Sequence, residues 1–309
     1  MRNTRLESES RLQFAGHETF PLRLLWLKKT YDAVRADAEG ADGAPRRTFQ
    51  EHDAIARFGI GKNMVMSMRH WALASGMIVP TGSNFTPTAI AHRLLSDDGL
   101  DPFLESSATL WLIHAILAGT PTPCTTFYYA FNILNQAEFD RDGLNEAMLD
   151  LARNNGARAT PETIKRDVEV FLRSYVSRTG DGGEDAAEPL LAELGLIREA
   201  RLSGRYEFVR GPQPSLPDGI FALHLSRFWT AKKSPPTLTV EAIAYEPGSP
   251  GRVFKMDEDS VVTRLTRLSD VTRGAFQWTD TAGLRQVNFL RAVDDMPLIA
   301  ASFGAGDGE

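Results

Sequence analysis

The sequence offers little scope for cysteine chemistry. Its 309 residues include one cysteine, Cys124, so neither an internal disulfide bond nor a zinc site made of several cysteines can form. The local sequence Pro121 to Phe127 supplies no base that would activate the thiol as a nucleophile. We therefore predict a structural role for Cys124 and a reducing compartment for the protein.

Long apolar runs are also missing. No stretch approaches the roughly 18 apolar residues of a transmembrane helix, and residues 1–11 are charged, unlike a signal peptide. Hydrophobic residues make up 42% of the chain and charged residues 24%, as in an ordinary globular protein. These features predict a cytoplasmic protein of two or three domains with no membrane partner.

Familiar catalytic motifs do not occur. Gly59-Ile-Gly-Lys62 fails as a phosphate-binding loop, because Ala56 and Asn63 stand where glycine and serine or threonine are required. No carboxylate pattern typical of a metal-dependent nuclease is apparent either. His17 and Glu18 are the best catalytic candidates, since they are adjacent polar groups between apolar residues and histidine exchanges protons near neutral pH. The alternative is that they orient the N-terminal segment through hydrogen bonds.

Negative charge is absent from one long stretch. No carboxylate occurs from Ala54 to Ser96, although the chain holds 40 of them and has a net charge of −6. The first 95 residues carry 13 Lys/Arg against 9 Asp/Glu, so the negative charge is concentrated in the rest of the chain. A surface that faces phosphates excludes carboxylates because like charges repel. Chance, combined with burial of the apolar half of the segment, is the alternative explanation.

Residues 48–95 have the order of a winged helix-turn-helix. A helix is predicted over 48–58, a second helix begins at Lys62 or Asn63 and ends before Gly76, and a β-hairpin and a short helix follow. The second helix of such a module enters the DNA major groove, and its first residues meet the bases. The segment therefore predicts that the protein binds double-stranded DNA. Contact with a partner protein is the alternative.

The candidate DNA-binding residues lie in this unit and on an amphipathic helix predicted over Leu22 to Val34. On the second helix, four polar residues are expected to share one exposed face, while Met64, Met68, Trp71 and Leu73 mostly pack inward. The four polar residues are Lys62, Asn63, Ser67 and His70. The remaining candidates are Arg23, Lys28, Lys29, Arg57, Arg69 and, at the hairpin tip, Ser83 and Asn84.

The rest of the chain is predicted to be mainly α-helical with short β-hairpins. A second unit with the order helix, helix, β-hairpin is predicted, and its hairpin ends at residue 209. A third unit of this kind is expected near the C-terminus. We predict three domains: a winged helix-turn-helix domain over 1–97, a helical domain over 98–180, and a helical domain with β-hairpins over 181–309.

Two motifs resemble a known bacterial family. They are Phe14-Ala-Gly-His-Glu-Thr-Phe-Pro-Leu-Arg-Leu-Leu-Trp-Leu-Lys-Lys29 and Gly59-Ile-Gly-Lys-Asn-Met-Val-Met-Ser-Met-Arg-His-Trp-Ala72. The chain resembles the SspB-type component of the Ssp systems of DNA phosphorothioation, whose members were formerly grouped as a family of unknown function. The motifs are confined to roughly residues 14–95.

This resemblance implies an activity and partners. It implies a nicking endonuclease that opens one DNA strand so that sulfur can replace a non-bridging phosphate oxygen, with Mg²⁺ or Mn²⁺ as the metal. It also implies three partners: a cysteine desulfurase, an ATP-using sulfur-transfer protein and an ATPase. Two hypotheses follow, a metal-dependent nickase and a non-catalytic winged-helix adaptor or regulator that positions other proteins on DNA.

Overall fold

The computed structural model describes residues 11–38, 43–49, 52–177, 189–200 and 204–304. As predicted, the protein is mainly α-helical with short β-hairpins. Its buried apolar side chains form one hydrophobic cluster that extends from Phe14 to Ile299. None of the helices in these ranges is long and apolar enough to cross a membrane.

The first unit comprises α1 (Trp26–Ala38), β1 (Ala44–Pro45), a 3-10 turn (Arg46–Phe49), α2 (His52–Phe58), α3 (Lys62–Ala74), β2 (Ile78–Thr81) and β3 (Asn84–Pro87). Glycine ends α3 and turns the hairpin, because Gly76 and Gly82 have φ angles of +69° and +59°. The short helix predicted after the β-hairpin is α4 (Ala89–Leu95), whose first turn is capped by the Thr88 hydroxyl.

The second unit repeats this order. Its elements are α6 (Thr125–Asn132), β4 (Glu138–Asp140), α7 (Arg141–Asn154), α8 (Pro161–Tyr175), a 3-10 turn (Leu190–Leu194), β5 (Ile197–Glu199) and β6 (Arg205–Phe208). Between the first two units lies α5 (Ser107–Gly119), which is buried along most of its length. The pairing of β4 with β6 joins residues on both sides of position 180, so a domain boundary there would divide a sheet.

The third unit has the same order with more helical pieces. Its elements are α9 (Asp218–Ala231), β7 (Thr237–Thr239), α10 (Val240–Tyr245), α11 (Pro250–Val253), α12 (Glu258–Thr266), α13 (Leu268–Val271), β8 (Phe276–Thr281) and β9 (Leu284–Phe289), followed by α14 (Asp295–Ala301). Each unit has one antiparallel three-stranded sheet, and the strand orders are β1-β3-β2, β4-β6-β5 and β7-β9-β8. The three units therefore share one topology, in which the last strand lies in the middle of the sheet.

Two helices of the first unit differ in their bounds from the prediction. The amphipathic helix predicted from Leu22 begins at Trp26, because the preceding residues form turns and Leu25 has a φ of +65°. The helix predicted over 48–58 is divided into the 3-10 turn and α2. Thr48 does not start that helix; its hydroxyl donates to Oδ2 of Asp37 (2.8 Å).

His114, His224 and Cys124 belong to the core. The Nε2–H of His114 donates to the Val253 carbonyl (2.8 Å), and its Nδ1 accepts from the Tyr175 hydroxyl (2.7 Å). His224 donates from Nε2 to the Gly248 carbonyl (2.9 Å). Cys124 is buried, and burial raises the pKa of its thiol well above the ordinary value. Burial supports the structural role predicted for Cys124, and the two hydrogen bonds of His114 show that this histidine is also part of the core.

These buried histidines predict a loss of stability in acid. Burial lowers the pKa of His70 and of His114 to about 3 and that of His224 to about 4. The unfolded chain takes up these protons below pH of about 6.5, whereas the folded protein does not. The free energy of unfolding, measured with urea, should therefore fall steadily as the pH is lowered from about 6 to about 4. An equal free energy at pH 7 and pH 5 would contradict this account.

Candidate nucleic-acid interface

Helix α3 is the predicted recognition helix, and most of it is buried. Its inner face packs Val65, Met68 and Ala72 into the core of the first unit. A second face is covered by the N-terminal segment, defined here as residues 11–25. The Phe20 carbonyl of this segment accepts from the indole N–H of Trp71 (2.9 Å).

The N-terminal segment hides two residues that were predicted to face DNA. Ser67 is 0% exposed and its hydroxyl points to the Phe20 carbonyl (3.5 Å). His70 is 8% exposed and lies against Gly16, where an added Cβ would come within 2.5 Å of Nδ1. The prediction that Ser67 and His70 lie on an exposed polar face is therefore wrong, because the N-terminal segment occupies that face.

The exposed part of α3 is its first turn. Lys62 and Asn63 are exposed, as predicted for the residues that would meet DNA, and Arg69 is half-buried further along the helix. Ser83 is exposed at the hairpin tip, and Asn84 is half-buried beside it. We define Lys62, Asn63 and the hairpin tip as the α3 tip surface.

Other predicted contacts are engaged in internal interactions. Lys28 donates to Asp32 (3.0 Å) and to Asp97 (2.9 Å), and the hydrogen bonds to these carboxylates raise its pKa even though burial lowers it. Arg57 forms a bidentate pair with Asp37, at 2.8 and 2.9 Å. Their main contacts in this structure are therefore with carboxylates of the first unit.

Two further basic candidates lie near the start of α1. The guanidinium of Arg23 lies 5.6 Å from the ring centroids of both Phe20 and Trp26, an arrangement typical of cation–π contacts. Lys29 is exposed on α1. Arg23 therefore helps to pack the N-terminal segment, while Lys29 is open to solvent.

His17 is the centre of a buried hydrogen-bond network. Its Nδ1 accepts from the backbone N–H of Thr19 (3.2 Å), so Nε2 carries the proton and donates to Oδ1 of Asp167 on α8 (2.8 Å). The hydroxyl of Thr126 on α6 donates to Oδ2 of the same carboxylate (2.5 Å). The ring also stacks beside Trp71 of α3, with centroids 6.4 Å apart. His17 therefore connects the N-terminal segment and both of the first two units.

This geometry favours the positioning alternative for His17. Both ring nitrogens are occupied by protein groups, and the side chain is buried. Glu18 is exposed and has a φ of +47°. A catalytic role for His17 and Glu18 stays a prediction. Sequence reasoning missed Asp167, although an aspartate between the apolar residues Ile164 and Val168 of α8 is a signal of a buried polar contact.

The described residues do not fit a preformed magnesium site. They contain no group of three or more His, Cys, Asp or Glu side chains that could hold a metal ion. Two carboxylates are buried in the described part of the chain, and both are satisfied. Asp101 accepts from Thr109 and two backbone N–H groups at the start of α5, and Asp167 accepts from His17 and Thr126. We therefore assign no metal ligand among these residues.

A pair of variants tests the positioning role. His17→Ala leaves the buried Asp167 without its main donor and should lower the free energy of unfolding by about 1–3 kcal/mol, as measured by urea denaturation. Glu18→Gln, the exposed neighbour, is the matched control and should leave the midpoint unchanged. A His17→Ala protein as stable as the wild type would contradict the positioning role.

The comparisons with known proteins agree on one relationship. An SspB crystal structure is similar to this chain with a TM-score of 0.79 and 29% identity, covering 96% of this chain and 88% of that one. A magnesium ion-bound SspB crystal structure gives a TM-score of 0.80 and 28% identity over the same shares. The predicted resemblance to SspB-type proteins is thereby confirmed. No curated protein matches the chain. The family model described as "Protein of unknown function (DUF4007)" matches residues 14–300, and the chain therefore belongs to that family.

Proposed function

We propose that this protein is a DNA-binding component of a DNA phosphorothioation system of the Ssp type. The observation that carries the proposal is the similarity to SspB structures, which extends over 96% of the chain at 28–29% identity. A cysteine desulfurase, a sulfur-transfer protein and an ATPase of such a system are the proposed protein partners. Its proposed substrate is double-stranded DNA.

The topology of the three units supports a winged-helix assignment. In each unit a helix, a short strand, further helices and a hairpin follow in that order, and the last strand lies between the other two. Winged helix-turn-helix proteins place the helix before the hairpin at the DNA. We assign α3, α8 and α12 as the helices in this position.

Charge distinguishes these three helices and favours α3 for DNA contact. Helix α3 (KNMVMSMRHWALA) contains no carboxylate, whereas α8 mixes acidic and basic residues and α12 begins with Glu258 and Asp259. Carboxylates repel the phosphate backbone, and exposed lysine or arginine attracts it. The α3 tip surface, with exposed Lys62 and Asn63, is the proposed site of DNA contact.

Nicking is the proposed activity, with Mg²⁺ or Mn²⁺ as the proposed metal. Support comes from the similar SspB structure described as magnesium ion-bound. Mg²⁺ often binds proteins through one or two carboxylates and completes its shell with water and substrate phosphates. The described residues define no donor set for this metal. The alternative is an adaptor that positions the partner proteins on DNA without cutting it.

A charge reversal at the α3 tip surface tests DNA binding. Lys62→Glu should weaken binding to duplex DNA and reduce the salt slope, log Kobs against log [salt], by about 1, because one phosphate is no longer neutralised by the protein. Lys233→Glu is the matched control, since Lys233 is also exposed but lies in the third unit. Fluorescence anisotropy over a salt series measures both. The proposed site is refuted if Lys62→Glu binds as tightly, and with the same slope, as Lys233→Glu.

A plasmid assay separates the nickase from the adaptor. Purified protein should convert supercoiled plasmid to open circles when Mg²⁺ or Mn²⁺ is added, without producing linear DNA, because one strand is cut. EDTA provides the control. Supercoils that persist with either metal and with the partner proteins present would contradict nicking and favour the adaptor.

A further inference from the structure

A basic cleft lies between the N-terminal segment and the second unit. Its volume is about 730 Å³. One wall is formed by residues 11–15 of the N-terminal segment, and the other by residues 155–159 between α7 and α8 together with Thr163. The cleft therefore opens at the turn that leads into α8.

Hydrogen bonds fix the wall that the N-terminal segment contributes. The Thr122 hydroxyl donates to the Arg11 carbonyl (2.6 Å), and the backbone N–H of Gln13 donates to the Thr125 hydroxyl (2.8 Å). The N–H of Thr125 in turn donates to the Gln13 carbonyl, at 3.4 Å. Arg11 is thus carried on backbone that is held in place at the side of the cleft.

The lining of the cleft is positively charged. Among the described residues, the lining contains two exposed arginines, Arg11 and Arg158, and no carboxylate; Glu162, in the first turn of α8, is not part of it. Asn155 adds a neutral polar side chain. This combination suits an anionic ligand, since guanidinium groups bind phosphate oxygens in bidentate fashion.

A second cleft shows that arginines alone do not create such a surface. This cleft, of about 1000 Å³, contains Arg264 and Arg267, but carboxylates line it as well. The guanidinium of Arg264 lies 2.6 Å from Oδ1 of Asp218, and that of Arg267 lies 3.3 Å from the same atom. Its positive charge is therefore compensated within the protein.

The basic cleft and the α3 tip surface occupy corresponding positions in their units. In the first unit, Lys62 follows the turn between α2 and α3; in the second unit, Arg158 lies in the turn between α7 and α8. The third unit differs, because Lys255, which precedes α12, is buried and donates to the Phe131 carbonyl (2.7 Å). Two of the three units thus present positive charge to solvent in or directly after this turn.

We infer that the basic cleft is a second contact site for the phosphate backbone of duplex DNA. This inference rests on the proposed DNA-binding function and adds the second unit to the interface. Arg11 and Arg158 would each bind a phosphate, so the cleft contributes affinity without reading the base sequence. The third unit then takes no part in phosphate binding at its corresponding position.

The test combines substitutions in the cleft with the salt dependence of binding. Arg11→Ala/Arg158→Ala should reduce the salt slope by about 1 for each phosphate that the variant no longer binds, and should weaken binding to unrelated duplex sequences by the same factor. Arg273→Ala, an exposed arginine of the third unit, is the control and should leave slope and affinity unchanged. Circular dichroism and the urea midpoint check that each variant is folded.

The outcomes distinguish this inference from the proposed function. If the wild type binds DNA and Lys62→Glu weakens binding, but the cleft variants match Arg273→Ala, the second contact site is refuted and the proposed function stands. If the wild type binds no DNA at all, the proposed function itself fails. Loss of binding to one sequence with retention of others would also overturn the inference, because it would indicate base readout.

Discussion

The hydrogen bond between His17 and Asp167 is the contact on which the arrangement of the first two units depends. It joins the N-terminal segment to α8, while Thr126 brings α6 to the same carboxylate and Trp71 places α3 beside the imidazole ring. A buried carboxylate is stable only when its oxygens are satisfied, so these elements must meet in one geometry. The side chain chosen as a catalytic candidate is, in this account, the group that positions the proposed interface.

The N-terminal segment determines how much of α3 remains available. It covers the face that holds Ser67 and His70, so the first turn of α3 is the part of the helix that stays exposed. The same segment forms one wall of the basic cleft. One stretch of chain therefore shapes both proposed DNA contacts. The three units share one topology but differ in surface charge, and this difference determines which of them can bind the DNA backbone.

Sequence reasoning succeeded where the signal was local. The end of α3 before Gly76 and the β-hairpin after it were predicted, because the conformation of glycine at such turns depends on near neighbours. The repeated order of helices and hairpins was also visible. Which face of α3 is exposed could not be predicted, because the residues that cover the helix are distant from it in the sequence. Helical periodicity shows which side chains share a face, but it does not show which distant residues cover that face. The contact of His17 with Asp167 joins residues 150 positions apart, so no local sequence pattern predicts it.

Hydrogen–deuterium exchange of the protein with and without duplex DNA tests the central claim most directly. The account predicts slower exchange in peptides that contain the turn before α3 and the hairpin tip of the first unit, with no change in peptides that contain α12. Protection confined to the third unit, or none in the first unit despite measurable binding, would contradict the claim that this protein meets DNA through the α3 tip surface.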